Sequence, residues 1–451
     1  MTMQLLLSQM AQVVGCEPPA KDMMVTGTVI DSRKVETGCL FIALAGEHVD
    51  GHDYLSTARQ SGACAALVSR KQDDVLPQLV VSDVVKAFGK LAKYWRQQCK
   101  AKVIAITGSN GKTTVKEMIA SIVGQCGSVV ATQGNLNNEL GVPLTLCRLA
   151  KDTDYAVIEM GANHAGEIAR LVDMAIPDVA VINNVASAHL EGFGDLNGVA
   201  KAKAEIYAGL KEDGIGIVNA DMKFAGEWKQ VLANKQRITF GLDAESDITA
   251  KDLQLNATSS HFMVEMEGVL HYINLPMPGL HNVANALAAI AATSALIIPV
   301  TSIVSGLQLM QGVPHRLQLR SGVRQSQLID DSYNANPGSY QQALKTLSGF
   351  SGEHWLVLGD FGELGKESEH IHYQLGLDAK ASGVKRLMTV GKETQYACKS
   401  FGEGAYHFEN INALQQHLET ELTKDVTCLI KGSRFMQLDK LADALTVEGE
   451  K

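Results

Sequence analysis

Apolar and polar positions divide the chain into three stretches of different rhythm. Up to residue 83, short apolar runs such as 39–44 and 65–68 alternate with polar turns, which marks a small compact unit. Over 84–98, Val84, Val85, Phe88, Leu91 and Trp95 recur on one helical face, so a boundary is placed just before this amphipathic helix. An apolar strand at 103–107 leads into a glycine turn and a helix with Val115, Met118, Ile119, Ile122 and Val123 facing inward. Strand-like runs return at 156–160, 179–185 and 214–219, with helical stretches between them. Such alternation predicts a mostly parallel sheet covered on both faces. The stretch 236–275 alternates apolar and polar residues, which predicts an antiparallel addition at a sheet edge. After Val313-Pro314 the alternation restarts, with strands expected at 326–330, 354–359, 386–390 and 426–431. The expected fold is α/β with three domains: a small α/β unit over 1–83, a central parallel-sheet unit over 84–312, and a Rossmann-like doubly wound unit over 313–451.

Length agrees, since 451 residues at roughly 150 per domain give three. A net charge of −9 argues against a generic nucleic-acid or membrane-surface binder, but leaves room for a local basic pocket. The eight cysteines show no CxxC pair and no zinc spacing, so they are expected to be reduced core residues. The N-terminus lacks the basic region of a signal peptide, and no apolar run reaches the roughly 18 residues of a membrane span. A soluble cytoplasmic protein without membrane insertion is expected.

Candidate chemistry begins at Gly108-Ser109-Asn110-Gly111-Lys112-Thr113-Thr114, between a strand and a helix. Only two residues separate the glycines, so the loop is shorter than the common GxxxxGK[ST] pattern. The physics is unchanged. Glycines let backbone N–H groups face a phosphate, the helix N-terminus adds positive potential, and Lys112 adds a charge. Thr113 is placed to ligate Mg²⁺, as is Glu159 at the end of the 156–160 strand. His189 follows another strand end, and Lys201 and Lys203 sit two apart on the next helix, a spacing that also suits a solvated face. Asn282 and Asn285 lie three apart, hence on one helical face that also suits a cap and small-residue packing.

The string TGSNGKTT resembles the nucleotide loop of the Mur ligase and folylpolyglutamate synthetase superfamily. Asp31-Ser32-Arg33-Lys34, the stretch 38–47 and Asp50-Gly51-His52-Asp53 resemble the UDP-binding domain of Mur ligases, which folylpolyglutamate synthetases lack. The blocks at 183–191 and 200–205, PGLHNVANALAA at 278–289, and Pro314-His315-Arg316 follow in Mur family order. The chain carries DDSYNANP at 330–337, GDFGELG at 359–365 and KGSR at 431–434, without the D-[DN]-P-[RA] tetrapeptide of the third-step ligases. It is therefore similar to the branch that adds D-alanyl-D-alanine to UDP-N-acetylmuramoyl-tripeptide in peptidoglycan synthesis.

That resemblance implies an ATP-dependent acid–amino-acid (peptide) ligase. The tripeptide carboxylate attacks the γ-phosphorus, giving an acyl phosphate and ADP. The dipeptide amine then displaces phosphate through a tetrahedral intermediate. It further implies two Mg²⁺ ions and a lysine carbamylated by CO₂, assigned to Lys203 rather than Lys201, with His189 as companion ligand. Lys112, His189, Lys203 and Arg316 become the catalytic set. The nucleotide falls to Gly108, Ser109, Asn110, Gly111, Lys112, Thr113, Thr114, Asn282, Asn285 and Arg316, with Asp331 on the ribose or holding Arg316. Substrate contacts fall to Ser32, Arg33 and Gly46 for UDP, to Asn135, Asn137 and Asn138 for the muramoyl sugar or peptide, and to Asn334 and Asn336. A monomer is expected. Two other readings stay open: a nucleotide switch, and a third-step ligase adding a free amino acid. A general base, and the third residue of the tripeptide, are not read from the sequence.

Overall fold

The computed structural model describes residues 2–46, 49–186 and 190–447. The strand Lys102–Thr107 lies inside a nine-stranded sheet, its residues from Val103 onward buried. Burial on both faces is what a parallel strand between two helical layers requires, and explains the unbroken apolar run. Val179–Ile182 pairs with it on one side and Tyr155–Glu159 on the other, both parallel, and Val129–Ala131 closes that edge. Ile215–Asn219, Gln236–Gly241 and Ile248–Leu255 continue the sheet in the other direction, all parallel.

The antiparallel addition is shorter than the alternation predicts. It comprises Ile248–Leu255 with Ser260–Met266 and Val269–Leu275. Gln236–Gly241 instead joins the parallel set. The helix Ala225–Leu232 lies between it and Ile215–Asn219, and a helical crossover returns a strand in the same direction.

The third unit is a six-stranded sheet in the order Gln318–Ser321, Gln327–Asp331, Val426–Lys431, Glu353–Gly359, Arg386–Val390, Ala405–Phe408. Only its first pair is antiparallel. The first unit holds a four-stranded parallel sheet (Thr28–Val29, Leu40–Ile42, Ala65–Val68, Gln78–Val80) and a separate antiparallel pair, Gln4–Leu6 with Met24–Thr26.

The helix Val84–Gln97 begins where its sequence pattern places it, capped by the Asp83 carboxylate, which accepts from Lys86 N at 3.0 Å. It joins the first two units. One apolar core runs from Met3 and Leu7 through Phe88 and Trp95 to Leu146 and Trp228. Trp95 Nε1 donates to the Leu149 carbonyl at 2.9 Å, fastening the helix to the central unit. All eight cysteines are free; Cys39, Cys99, Cys147 and Cys428 are buried and Cys126 is exposed. Among the described residues no helix is long and apolar enough to cross a membrane.

Candidate active site

The carboxyl ends of the central strands face the third unit across a cavity of about 640 Å³. Its floor is the loop between Lys102–Thr107 and the helix Lys112–Val123. Gly111 caps that helix at φ 75°, a left-handed conformation suited to glycine. Space demands glycine as well: a Cβ there would meet Asn285 Oδ1 at 2.5 Å and Asn183 Nδ2 at 2.7 Å. Two loop amides are already committed, because Ser109 N donates to the Asn184 carbonyl at 3.0 Å and Asn110 N to Asn184 Oδ1 at 2.9 Å. The first-turn amides of Lys112–Val123 receive no side-chain cap, so the helix end is where the loop offers N–H groups to an anion. Lys112 folds back over the loop, donating from Nζ to the Gly108 carbonyl at 2.8 Å. Burial pushes its ammonium below the usual lysine range and nearby Arg316 adds to this, while Glu159 opposes it.

Glu159 ends its strand where the sheet rule places a ligand group. Its carboxylate accepts from Thr113 Oγ1 at 2.9 Å and from Asn137 Nδ2 at 2.7 Å. Lys203 enters the same cavity from the helix Leu196–Ala208 and is only 3% exposed, whereas Lys201 is exposed. Burial drives the Lys203 ammonium well below the lysine range, and the Lys112 charge pushes the same way. The pair at i, i+2 is thus one buried and one exposed side chain. Oxygens from Thr113 and Glu159 form the hard-donor set that Mg²⁺ takes. His189 lies outside the described residues.

The opposite wall comes from the third unit. Asp331 and Lys431 end adjacent parallel strands and are direct register partners. Lys431 Nζ donates to Asp331 Oδ2 at 2.5 Å and to the Asn334 carbonyl at 3.1 Å. Burial raises the Asp331 carboxyl, against the pull of Lys431 and Arg316. Arg316 Cζ stands 4.1 Å from the Tyr333 ring centroid, and Arg434 Cζ stands 5.6 Å from the same ring. His315 and Leu317, flanking Arg316, both have positive φ (60° and 49°), a strained backbone at the junction of the units. His281 is held neutral: burial depresses it to about 4, helped by the Lys431 charge.

The phosphate-loop residues 109–114, Asn135, Asn137, Asn138, Glu159, Lys203, Asn282, Asn285, Arg316, Asp331, Asn334 and Asn336 all line the cavity. Some have roles beyond those expected. Asn282 donates to the Pro278 carbonyl at 2.8 Å, fixing the start of its own helix, and Asn285 Oδ1 accepts from Asn183 at 2.8 Å. Asn336 caps the helix Pro337–Leu347 through its Oδ1, and its Nδ2 donates to Asn110 Oδ1 at 2.7 Å, tying the third unit to the phosphate loop. Asp331 pairs with Lys431. Ser32, Arg33, Gly46 and Gly108 are not among the lining residues. Arg33 is paired with Asp31 and is 85% exposed. Sequence reasoning missed Asn183, Asn184, Tyr333 and Lys431 as site residues. The signal was present for all four, since each sits at or just past the carboxyl end of a predicted strand.

Three family models cover most of the chain: "Mur ligase family, catalytic domain" over 24–106, "Mur ligase middle domain" over 106–293, and "Mur ligase, glutamate ligase domain" over 315–434. The UDP-N-acetylmuramoyl-tripeptide--D-alanyl-D-alanine ligase of Escherichia coli (strain K12) is 44% identical over 446 residues, 98% of each chain. A crystal structure of MurF from Acinetobacter baumannii superposes with a TM-score of 0.90 at 35% identity, covering 98% of this chain and 99% of that one. MurF ligase from Thermotoga maritima in complex with ADP gives 0.81 at 28% identity, covering 93% and 97%. With its phosphate loop and C-terminal motifs lining one cavity and nearly its whole length matched, the chain belongs to the Mur ligase family.

Proposed function

We infer that this protein uses ATP to join D-alanyl-D-alanine to UDP-N-acetylmuramoyl-tripeptide, completing the pentapeptide precursor of peptidoglycan in the cytoplasm. The observation that carries the reading is the facing of two walls: a phosphate loop with Glu159 and Lys203 on one side, and Arg316, Asp331 and Lys431 on the other. Relatives bearing this activity's name match over the full length.

In this reading the loop 108–114 holds the phosphates of ATP, and Lys112 leaves its carbonyl partners to meet them. The tripeptide carboxylate attacks the γ-phosphorus, and ADP leaves. The dipeptide amine then attacks the acyl carbon of the acyl phosphate, and phosphate departs. Lys112 and Arg316 spread the charge of the transferred phosphoryl group. Thr113, Glu159, His189 and a carbamylated Lys203 would hold two Mg²⁺ ions, which when bound supply charge neutralisation at the phosphates. Burial at Lys203 disfavours the ammonium and so favours the uncharged amine that adds CO₂: the lone pair forms an N–C bond, one proton leaves, and a carboxylate results. The loop 135–138 takes the muramoyl peptide, and the unit 1–83, with Ser32, Arg33 and Gly46, takes the UDP end. The unit 84–312 binds ATP and the unit 313–451 closes on it as a monomer, excluding water from the acyl phosphate.

The test is phosphate release from ATP in the presence of UDP-N-acetylmuramoyl-tripeptide, with D-alanyl-D-alanine compared against free amino acids. Turnover with the dipeptide is expected. Turnover with a free amino acid instead would assign the third-step reaction.

A further inference from the structure

The cavity is lined by five basic side chains besides His281: Lys112, Lys203, Arg316, Lys431 and Arg434. Four are committed by their surroundings. Lys112 lies across the phosphate loop, donating to Gly108 and Ser109. Lys203 is buried in the cavity wall, in reach of the Lys112 charge. Lys431 is fully buried and neutralised by Asp331. Arg316 lies close enough to Lys112 and Asp331 to shift both, which puts it at the phosphate end.

Arg434 is different. It is 54% exposed, so its guanidinium meets solvent at the cavity edge. Nη1 donates to Asp439 Oδ2 at 2.7 Å, which orients the group while leaving other N–H donors of its planar fork for a ligand. Its backbone is firmly placed. Ser433 N donates to the Asp360 carbonyl at 3.1 Å, and Ser433 Oγ accepts from Gly362 N at 2.8 Å. Gly432 lies so near Gly359 that a Cβ would stand 3.1 Å from its Cα. Arg434 thus opens the short turn Arg434–Met436 from an anchored stretch just past the strand Val426–Lys431.

A guanidinium fork matches a carboxylate in two parallel hydrogen bonds. The acceptor dipeptide brings one carboxylate into the site, which must be held by a cation that the phosphates do not use. We propose that Arg434 binds the terminal carboxylate of the acceptor and thereby selects a dipeptide acid over neutral amines. The proposal rests on the ligase reading above and adds the residue that recognises the third substrate. Lys431 cannot take this role without abandoning Asp331 in a buried site.

The experiment compares D-alanyl-D-alanine with D-alanyl-D-alaninamide as acceptors for wild type, Arg434→Met and Arg434→Lys, with KM determined for all three substrates. Wild type is expected to favour the acid by roughly 100-fold in kcat/KM, as loss of a charge-assisted pair implies. In Arg434→Met the acid should fall to the level of the amide, while the KM values for ATP and UDP-tripeptide change less than about twofold. Arg434→Lys, which keeps charge but loses the fork, should retain a preference of about tenfold and covers the case in which the methionine variant fails to fold. An unchanged acid preference in both variants overturns the proposal, as does a KM for ATP that rises in step with that for the acceptor. A wild type that turns over neither acceptor would instead remove the ligase reading itself.

Discussion

Lys431 and Asp331 lie side by side on adjacent parallel strands, with Nζ 2.5 Å from Oδ2 and the lysine fully buried. Removing one partner leaves the other charge without compensation in a poorly solvated place. Lys431→Met should therefore cost about 3–5 kcal/mol of stability. Lys431→Met combined with Asp331→Asn should recover much of that loss but not the ligase activity. Urea unfolding of Lys431→Met, Asp331→Asn and the double variant checks this, and an additive double variant would show that the pair is not a unit.

His281 supplies a pH signature. Its folded-state value of about 4 lies below the ordinary 6.5, so between those limits the unfolded chain binds more protons than the folded one. Stability contributed by keeping it neutral is present above about 6.5 and drains away as pH falls toward 4. The melting temperature should drop on acidification across this window, and less steeply in His281→Gln. Identical slopes in the two proteins would contradict the assignment.

On the carbamate proposal, Lys203→Ala should be nearly inactive, and acetate should restore part of the activity by offering equivalent oxygens. Lys201→Ala, altered on the solvated side of the same helix, should behave as wild type. A cationic role for Lys203 predicts rescue by amines instead, so ligation rates with added acetate and with added methylamine separate the two.

Gly111→Ala places a methyl within 2.5 Å of Asn285 Oδ1 and 2.7 Å of Asn183 Nδ2, at a φ of 75°. The strain and the lost asparagine contacts should destabilise the chain by about 1–3 kcal/mol. The KM for ATP should rise with the loop displaced. A thermal shift under a degree with unchanged KM would argue that the loop has more room than its packing implies.

Most strands were legible because parallel strands buried on both faces leave unbroken apolar runs. Arg386–Val390 and Val426–Lys431 have the bounds their pattern predicts, and Tyr155–Glu159 differs by one residue at each end. Gln236–Gly241 misled because its first residues are exposed and its last buried, which imitates an edge strand. The phosphate loop was legible as a local string of residue types. The Lys431–Asp331 pair was not, because it depends on register between strands 100 residues apart. Nor do local patterns reveal that Asn184 occupies two amides of a loop 74 residues away.

The amide of Asn336 begins a helix in the third unit with one atom and grips Asn110 with the other. A nucleotide that recruits the Asn110 side chain must break that grip, so filling the loop and reorienting the third unit share one free-energy term. By reciprocity, whatever loosens Asn336 raises nucleotide affinity by the factor with which the nucleotide loosens Asn336. The two halves of the molecule are geared together through this pair of asparagines, before either substrate of the peptide bond arrives.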